Sequence, residues 1–397
     1  MKKHKQFFKQ NIDYGLLMPV FFLILIGLVV IYISTANDYP KTVISVMAQQ
    51  VVWILLGCGL AYLVMMFKTS FLWKATPYLY VLGLLLMILP LIFYSPALVA
   101  STGAKNWVTI ANTPLFQPSE FMKISYILVI ARVTVWWRPK LLASDSLKDD
   151  WLFLLFYGLV TLPVMILLAL QKDLGTAMVF MAILAGVVLL SGISSRILIP
   201  IIAAVVVVVA GFLIVFLIPG GKEFLYKMGM DTYQINRLSA WFDPFKYAEG
   251  IAYQQTQGMI SIGSGGVLGK GFNVLDLAVP VRESDMIFTV IAEDFGFLGS
   301  SIVLLLYLLL IYRMLLITIK SNNQFYTFIS TGFIMMISFH IFENIGAALG
   351  ILPLTGIPLP FISKGGSSLI SNMIGVGLVL SMSNQNRLNE YYYQRKH

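Results

Sequence analysis

The chain is predicted to be an all-α polytopic membrane protein with ten transmembrane helices, and three observations predict it. It is 58% hydrophobic and only 11% charged over 397 residues, where soluble domains carry roughly a quarter charged residues. Apolar runs recur along it, each near the ~20 residues a helix needs to cross a bilayer. Short polar segments marked by glycine or proline separate the runs. The one cysteine, Cys58, lies inside an apolar run, so no internal disulfide can form. The net charge of +9 is explained by basic residues at span ends rather than by nucleic acid, and no nucleic-acid partner is expected.

The N-terminus carries Lys2, Lys3, Lys5 and Lys9 ahead of an apolar run, as a signal peptide would. The run is of full span length and no small-residue cleavage site follows, so a retained first helix is expected over 14–33. Further spans are expected at 43–67, 78–94, 119–135, 151–170, 174–190, 197–218, 286–311, 325–349 and 367–383. An even number puts both termini on one side. With the N-terminus inside, the inner face holds those four lysines with Lys68, Lys74, Arg132, Arg138, Lys140, Lys148, Arg196, Arg313, Lys320, Arg387, Arg395 and Lys396. The short outer loops hold only Lys41, Lys105, Lys172 and Lys364, and this asymmetry sets an N-in, C-in topology. The chain is then one integral membrane domain over 1–397, with a large outer loop at 219–285 between spans seven and eight and a short cytoplasmic tail at 384–397. The polar segments 96–118, 171–174, 219–285 and 351–366 all fall on the outer face, so any chemistry is expected there.

Carboxylates are rare in this chain: 18 in all, yet Glu283, Asp285, Glu293 and Asp294 crowd around the start of span eight. Each costs several kcal/mol in hydrocarbon, about +2.5 to +3.5 on insertion scales, which makes the cluster a candidate site. Asp285, in the first turn, reads either as a helix cap or as a general base at a cavity mouth. Glu293 is expected roughly 12 Å deeper on a broadly similar face, while Asp294 points elsewhere.

Other constellations lie nearby. Pro118 and Ser119 mark a helix start, Glu120 complements its dipole, and Glu120 and Lys123 share a face at i,i+3; they read as an ion pair or as a cationic site for an anionic ligand. Gln171 to Thr176 is a tight polar corner containing Asp173. The glycine-rich run 263–271 fails the Walker template, with Ser264 and Gly271 where glycine and Ser/Thr are required, and fails the dinucleotide template at Leu268. Its amides and Lys270 remain a simple nest for a pyrophosphate. Arg237 and Arg282 add cations on the outer face. His340, Glu343 and Asn344 share one face of span nine and read as a polar network rather than a metal site.

Four blocks resemble the SEDS family of cell-wall polymerases (shape, elongation, division, sporulation). They are Gly103-Ala-Lys-Asn-Trp107 with Phe116-Gln-Pro-Ser-Glu120, then Gln171-Lys-Asp-Leu-Gly-Thr176, then Tyr253-Gln with Ile262-Gly-Ser-Gly-Gly and Gly269-Lys-Gly271, and last Leu354-Thr-Gly-Ile-Pro-Leu-Pro-Phe-Ile-Ser363 with Gly365-Gly-Ser-Ser368. The Thr355-Gly-Ile-Pro-Leu-Pro stretch is closest to the elongation branch, with a division or sporulation member as the alternative. The resemblance implies lipid II as substrate, glycan extension as reaction and Asp285 as the essential residue. It also implies that Trp107, Glu120 and Lys123 line a central cavity. Met286, Lys172 and Lys364 stand where the family commonly has Phe, Pro and Tyr.

The expected mechanism is inverting glycosyl transfer, with Asp285 as base and Lys123, Arg237, Lys270 and Arg282 as candidate ligands of the sugar or departing pyrophosphate. Asp173, Glu293, Glu343 and Ser363 are expected to give polar support. No protein metal site is expected, although a divalent cation (Mg or Mn) fits the chemistry. Implied partners are a class B penicillin-binding protein transpeptidase, other elongation-machinery membrane proteins and membrane lipid. A lipid II flippase is the rival reading and a recruiting scaffold a third.

Overall fold

The computed structural model describes residues 12–110, 113–143, 146–274 and 276–394. Lys2, Lys3, Lys5, Lys9, Arg395 and Lys396, counted above for orientation, lie outside the described residues. Among the described residues nine helices are long and apolar enough to cross a membrane. They are α1 (Tyr14–Asp38), α2 (Val43–Met65), α3 (Thr69–Ile92), α6 (Leu147–Gln171), α7 (Leu174–Ser191), α8 (Ser195–Leu217), α12 (Ile287–Ile319), α13 (Gln324–Ala348) and α14 (Gly366–Gln394). A further long helix, α5 (Pro118–Ala143), carries Glu120, Lys123, Arg132, Arg138 and Lys140, and its charge rather than its length sets it apart. It packs against α3, α7, α13 and α14 in the middle of the bundle, where its charged residues find partners instead of lipid.

The helices begin where side chains can satisfy free amides. Asp13, Ser146, Asp173, Ser194 and Asn323 each accept from an amide of the first turn. Several expected boundaries move. The third span was expected from residue 78, but α3 starts at Thr69 and contains Pro77; neighbouring helices and local adjustments tolerate proline in membrane helices better than in water. The expected fourth span ended at 135, whereas α5 continues to Ala143. The expected tail over 384–397 continues α14 as far as Gln394.

Two expected loops are structured. Segment 96–118 holds a short helix, α4 (Pro96–Thr102), and an antiparallel hairpin of β1 (Val108–Ile110) and β2 (Thr113–Phe116). Segment 219–285 folds into α9 (Gly221–Lys227), α10 (Thr232–Phe242) and α11 (Tyr253–Ser264), and α11 lies against α12 and α13.

The largest departure is a break in α12 at Gly296, whose φ of 62° and ψ of −156° are non-helical. That backbone region is essentially restricted to glycine. The break strands the carbonyls of Glu293 and Asp294, and the amides of Lys270 and Gly271 donate to them at 2.9 and 3.1 Å. On the other side, Phe297 and Leu298 donate to the carbonyls of Gly266 and Val267 at 2.9 and 3.1 Å. A Cβ on Gly269 would meet the Asp294 carbonyl oxygen at 2.1 Å, so the glycines exist to let this loop press onto the broken helix.

Candidate functional site

Asp285 lies in the turn that leads into α12, with Met286 as the helix N-cap residue and no side-chain cap bond there. Its carboxylate therefore does not cap the helix, and one of the two sequence readings falls away. Instead the carboxylate accepts from the Ser284 hydroxyl at 2.9 Å. Its backbone carbonyl accepts from Asn344 Nδ2 at 2.8 Å, and the same amide group donates to the Ile357 carbonyl at 2.8 Å. Burial pushes the Asp285 carboxyl above its ordinary range; the Ser284 hydroxyl and the Arg237 guanidinium pull back, and Glu283 adds to the rise.

Around Asp285 a strap over 354–357 is held by three side chains, Arg237, Glu343 and Asn344. Arg237, on α10, donates from its guanidinium to the Leu354 carbonyl at 2.6 Å and to the Tyr233 hydroxyl. Glu343, on α13, accepts from both the amide and the hydroxyl of Thr355. Gly356, at φ 82°, sits so close that an added Cβ would lie 3.3 Å from Asp285 Oδ2. Gly103 in turn leaves room for the Tyr233 ring. Ser363 donates to the Ser284 carbonyl at 2.7 Å and accepts from the Leu359 amide at 2.8 Å, fixing the turn from the other side.

A second polar centre lies between α5 and α13. Lys123 Nζ is 2.8 Å from Glu120 Oε2 and 3.2 Å from His340 Nε2, and all three side chains are buried. Ser371, on α14, donates to the Glu120 carbonyl at 2.9 Å. His340, Glu343 and Asn344 thus span both centres, one to Lys123 and two to the Asp285 region. Asp173 caps α7 through Thr176 and accepts from Asn106 Nδ2 at 2.7 Å, which ties the corner to the segment carrying half-buried Trp107.

Three expected site residues are placed elsewhere. Arg282 is buried in a two-pronged pair with Asp38, at 2.7 and 2.6 Å, and also donates to the Leu277 carbonyl. Lys270 Nζ is bound by Glu293 at 2.8 Å and Asp276 at 2.9 Å, and the Glu293 hydrogen bond holds its ammonium above the usual lysine range. Glu293 is expected as polar support roughly 12 Å deeper than Asp285, on a broadly similar face. It turns instead to Lys270 and to Ser261, whose hydroxyl donates to it at 2.6 Å, while Asp294 accepts from the Asn273 amide at 2.9 Å. Both carboxylates pin the glycine loop, and the amides of Gly269, Lys270 and Gly271 are already spent on Gly265, Glu293 and Asp294 carbonyls. The loop is no open anion nest.

Sequence reasoning gives no site role to Tyr233, Thr355 or Asp38, Thr355 entering only as part of a family block. The first two carry no charge signal, and Asp38 is legible only as the counter-ion a buried arginine requires. Among the described residues no group of three or more His, Cys, Asp or Glu side chains is arranged to hold a metal ion.

Fold and site together define a multi-pass membrane protein with a partly buried, base-strengthened carboxylate under a strap of loops at one end of a helix bundle. The family model FTSW_RODA_SPOVE, described as "Cell cycle protein", matches residues 14–388, and the chain belongs to that family. It is 31% identical over 385 residues to peptidoglycan glycosyltransferase MrdB of Escherichia coli (strain K12), covering 96% of this chain and 95% of the relative. It superposes with a TM-score of 0.74 and 28% identity on a chain from "Structural coordination of polymerization and crosslinking by a peptidoglycan synthase complex", covering 95% of this chain and 98% of that one. The rod shape determining protein RodA of Thermus thermophilus matches with a TM-score of 0.65 and 26% identity over the same shares.

Proposed function

We propose that this chain is a peptidoglycan glycosyltransferase that polymerises lipid II during elongation, with Asp285 as general base. The observation that carries the reading is the Asp285 carboxyl itself: it caps nothing, is raised in proton affinity by burial, and stands where the family's essential aspartate is expected. A base is most useful when its proton affinity approaches the working pH. The relatives support polymerisation over the flippase and scaffold readings, since MrdB is a named glycosyltransferase.

In the proposed step Asp285 takes the proton of the acceptor sugar's 4-hydroxyl as that oxygen bonds to the donor's anomeric carbon. The bond from that carbon to the pyrophosphate oxygen breaks, and its electron pair leaves with the undecaprenyl pyrophosphate. The anomeric configuration inverts. A divalent cation, Mg or Mn, is kept in the proposal as a companion of the substrate's pyrophosphate.

The lysine and arginine asymmetry of the loops supports placing the Asp285 end at the outer face of the bacterial cytoplasmic membrane, with α5 counted as the tenth span. The partner is proposed to be a class B penicillin-binding protein transpeptidase within the elongation machinery. Replacing Asp285 with Asn tests the base. Polymerisation should fall by about 10² to 10⁴ in a folded preparation; an Asn variant as fast as wild type would end the assignment.

A further inference from the structure

The departing pyrophosphate needs positive charge near Asp285, and the structure removes most of the cations that the sequence offered. Arg282 is committed to Asp38. Lys270 is committed to Glu293 and Asp276. Lys123 is buried against Glu120, 2.8 Å away. Arg237 is the exception: it gives one guanidinium nitrogen to the neutral Leu354 carbonyl and one to the Tyr233 hydroxyl, and so keeps its charge beside Asp285.

Lys364 differs from the three cations held in close ion pairs. Its amide donates to the Glu283 carbonyl at 2.9 Å, and the preceding Ser363 donates to the Ser284 carbonyl. Residues 363 and 364 therefore run beside the backbone that delivers Asp285. The Lys364 side chain is about a third exposed, and its nearest carboxylate, Glu283 Oε1, is 3.7 Å away. That is an ion-pair distance beyond hydrogen-bonding range, so the ammonium keeps donors to give.

We propose that Lys364 is a ligand of the leaving pyrophosphate, its backbone held by the pairing of 363–364 with 283–284, the segment that leads into Asp285, and its ammonium in only a loose contact with Glu283. This rests on the polymerase reading and adds to it the group that receives the leaving charge. Glu283 acts as the competitor: when the pyrophosphate arrives, Lys364 exchanges a stretched carboxylate contact for a phosphate oxygen. Strong hydrogen bonds from an ammonium to an anion contribute more than neutral ones.

The test is binding of undecaprenyl pyrophosphate to the purified full-length chain, read also as product inhibition of polymerisation. Lys364→Met should weaken binding by about 10- to 100-fold, the range of one charged hydrogen bond. Lys364→Arg should return it to near wild type. Glu283→Gln should tighten binding, an effect opposite in sign that a misfolded variant cannot mimic. Wild-type affinity in Lys364→Met would overturn the proposal. So would weaker binding of intact lipid II with unchanged binding of undecaprenyl pyrophosphate, which would assign Lys364 to the carboxylates of the peptide stem. Because Asp285→Asn leaves the cation in place, it should still bind undecaprenyl pyrophosphate, so this result stands or falls apart from the base assignment.

Discussion

Asn344 Nδ2 donates at 2.8 Å to the backbone carbonyl of Asp285 and, at 2.8 Å, to that of Ile357. One buried amide thus holds the proposed base and the strap above it in fixed relation, from a helix that belongs to neither. Asn344→Asp keeps the shape but loses both donors and adds a negative charge. Leaving buried carbonyls unpaired costs about 1–3 kcal/mol each. The expected outcome is a polymerisation rate lowered by about 10-fold or more together with a lower melting temperature; a variant unchanged in both would show that this anchor does nothing.

Glu343 and Thr355 should behave as a unit. Glu343 accepts twice from Thr355, so once either partner is gone the other has little left to lose. Glu343→Ala and Thr355→Val are each expected to slow polymerisation, and the double variant should be no worse than the poorer single. Contacting pairs show coupling of about 0.5–3 kcal/mol. Additive losses in rate, measured on the four proteins of the cycle, would contradict the contact.

Lys270 offers a sharp contrast with Lys364. The Glu293 side chain is 0% exposed and pairs with Lys270 at 2.8 Å. Lys270→Met should therefore destabilise the fold by about 3 kcal/mol, as expected for an orphaned buried charge, and Lys270→Met with Glu293→Gln should recover much of that. Denaturation of the purified variants reads both. A raised KM for lipid II without a change in stability would return Lys270 to the substrate.

Asp285 links activity to stability through pH. Burial raises its carboxyl above the ordinary range, so the folded state holds the proton more tightly than the unfolded chain. Its favourable contribution is full at low pH, below the ordinary carboxylate value, and is lost as pH rises through the raised value. Asp285→Asn should therefore be more stable than wild type at neutral pH, with the gap closing under acid. Polymerisation by wild type should fall as pH drops through the same raised value. Equal melting curves for the two proteins at every pH would contradict a strained carboxylate.

The helix bundle was legible because each span must hide its backbone within one apolar run, and such runs are counted easily. Asp285 stands out as a candidate from sequence, since a carboxylate at a span edge is costly and the family blocks flank it. What the sequence could not reveal was direction. Glu293 lies eight residues from Asp285, and regular helix geometry places it on a similar face. The cluster is nevertheless divided, with Glu293 turned to Ser261 and Lys270. From sequence the glycine run reads as a ligand nest because nothing there marks its amides as bonded. They are consumed by carbonyls that only the Gly296 break exposes. Arg282 and Lys270 looked like site cations because their partners, Asp38 and Glu293, come from distant or differently aimed positions.

The most direct measurement is lipid II polymerisation by the purified chain with its cognate transpeptidase and divalent ions present, wild type beside Asp285→Ala. Glycan ladders from wild type and none from a well-folded Asp285→Ala are the expected result. Ladders of equal length and yield from both proteins would contradict Asp285 as the base. Movement of lipid II between leaflets by wild type, with no polymer formed, would contradict the polymerase reading itself.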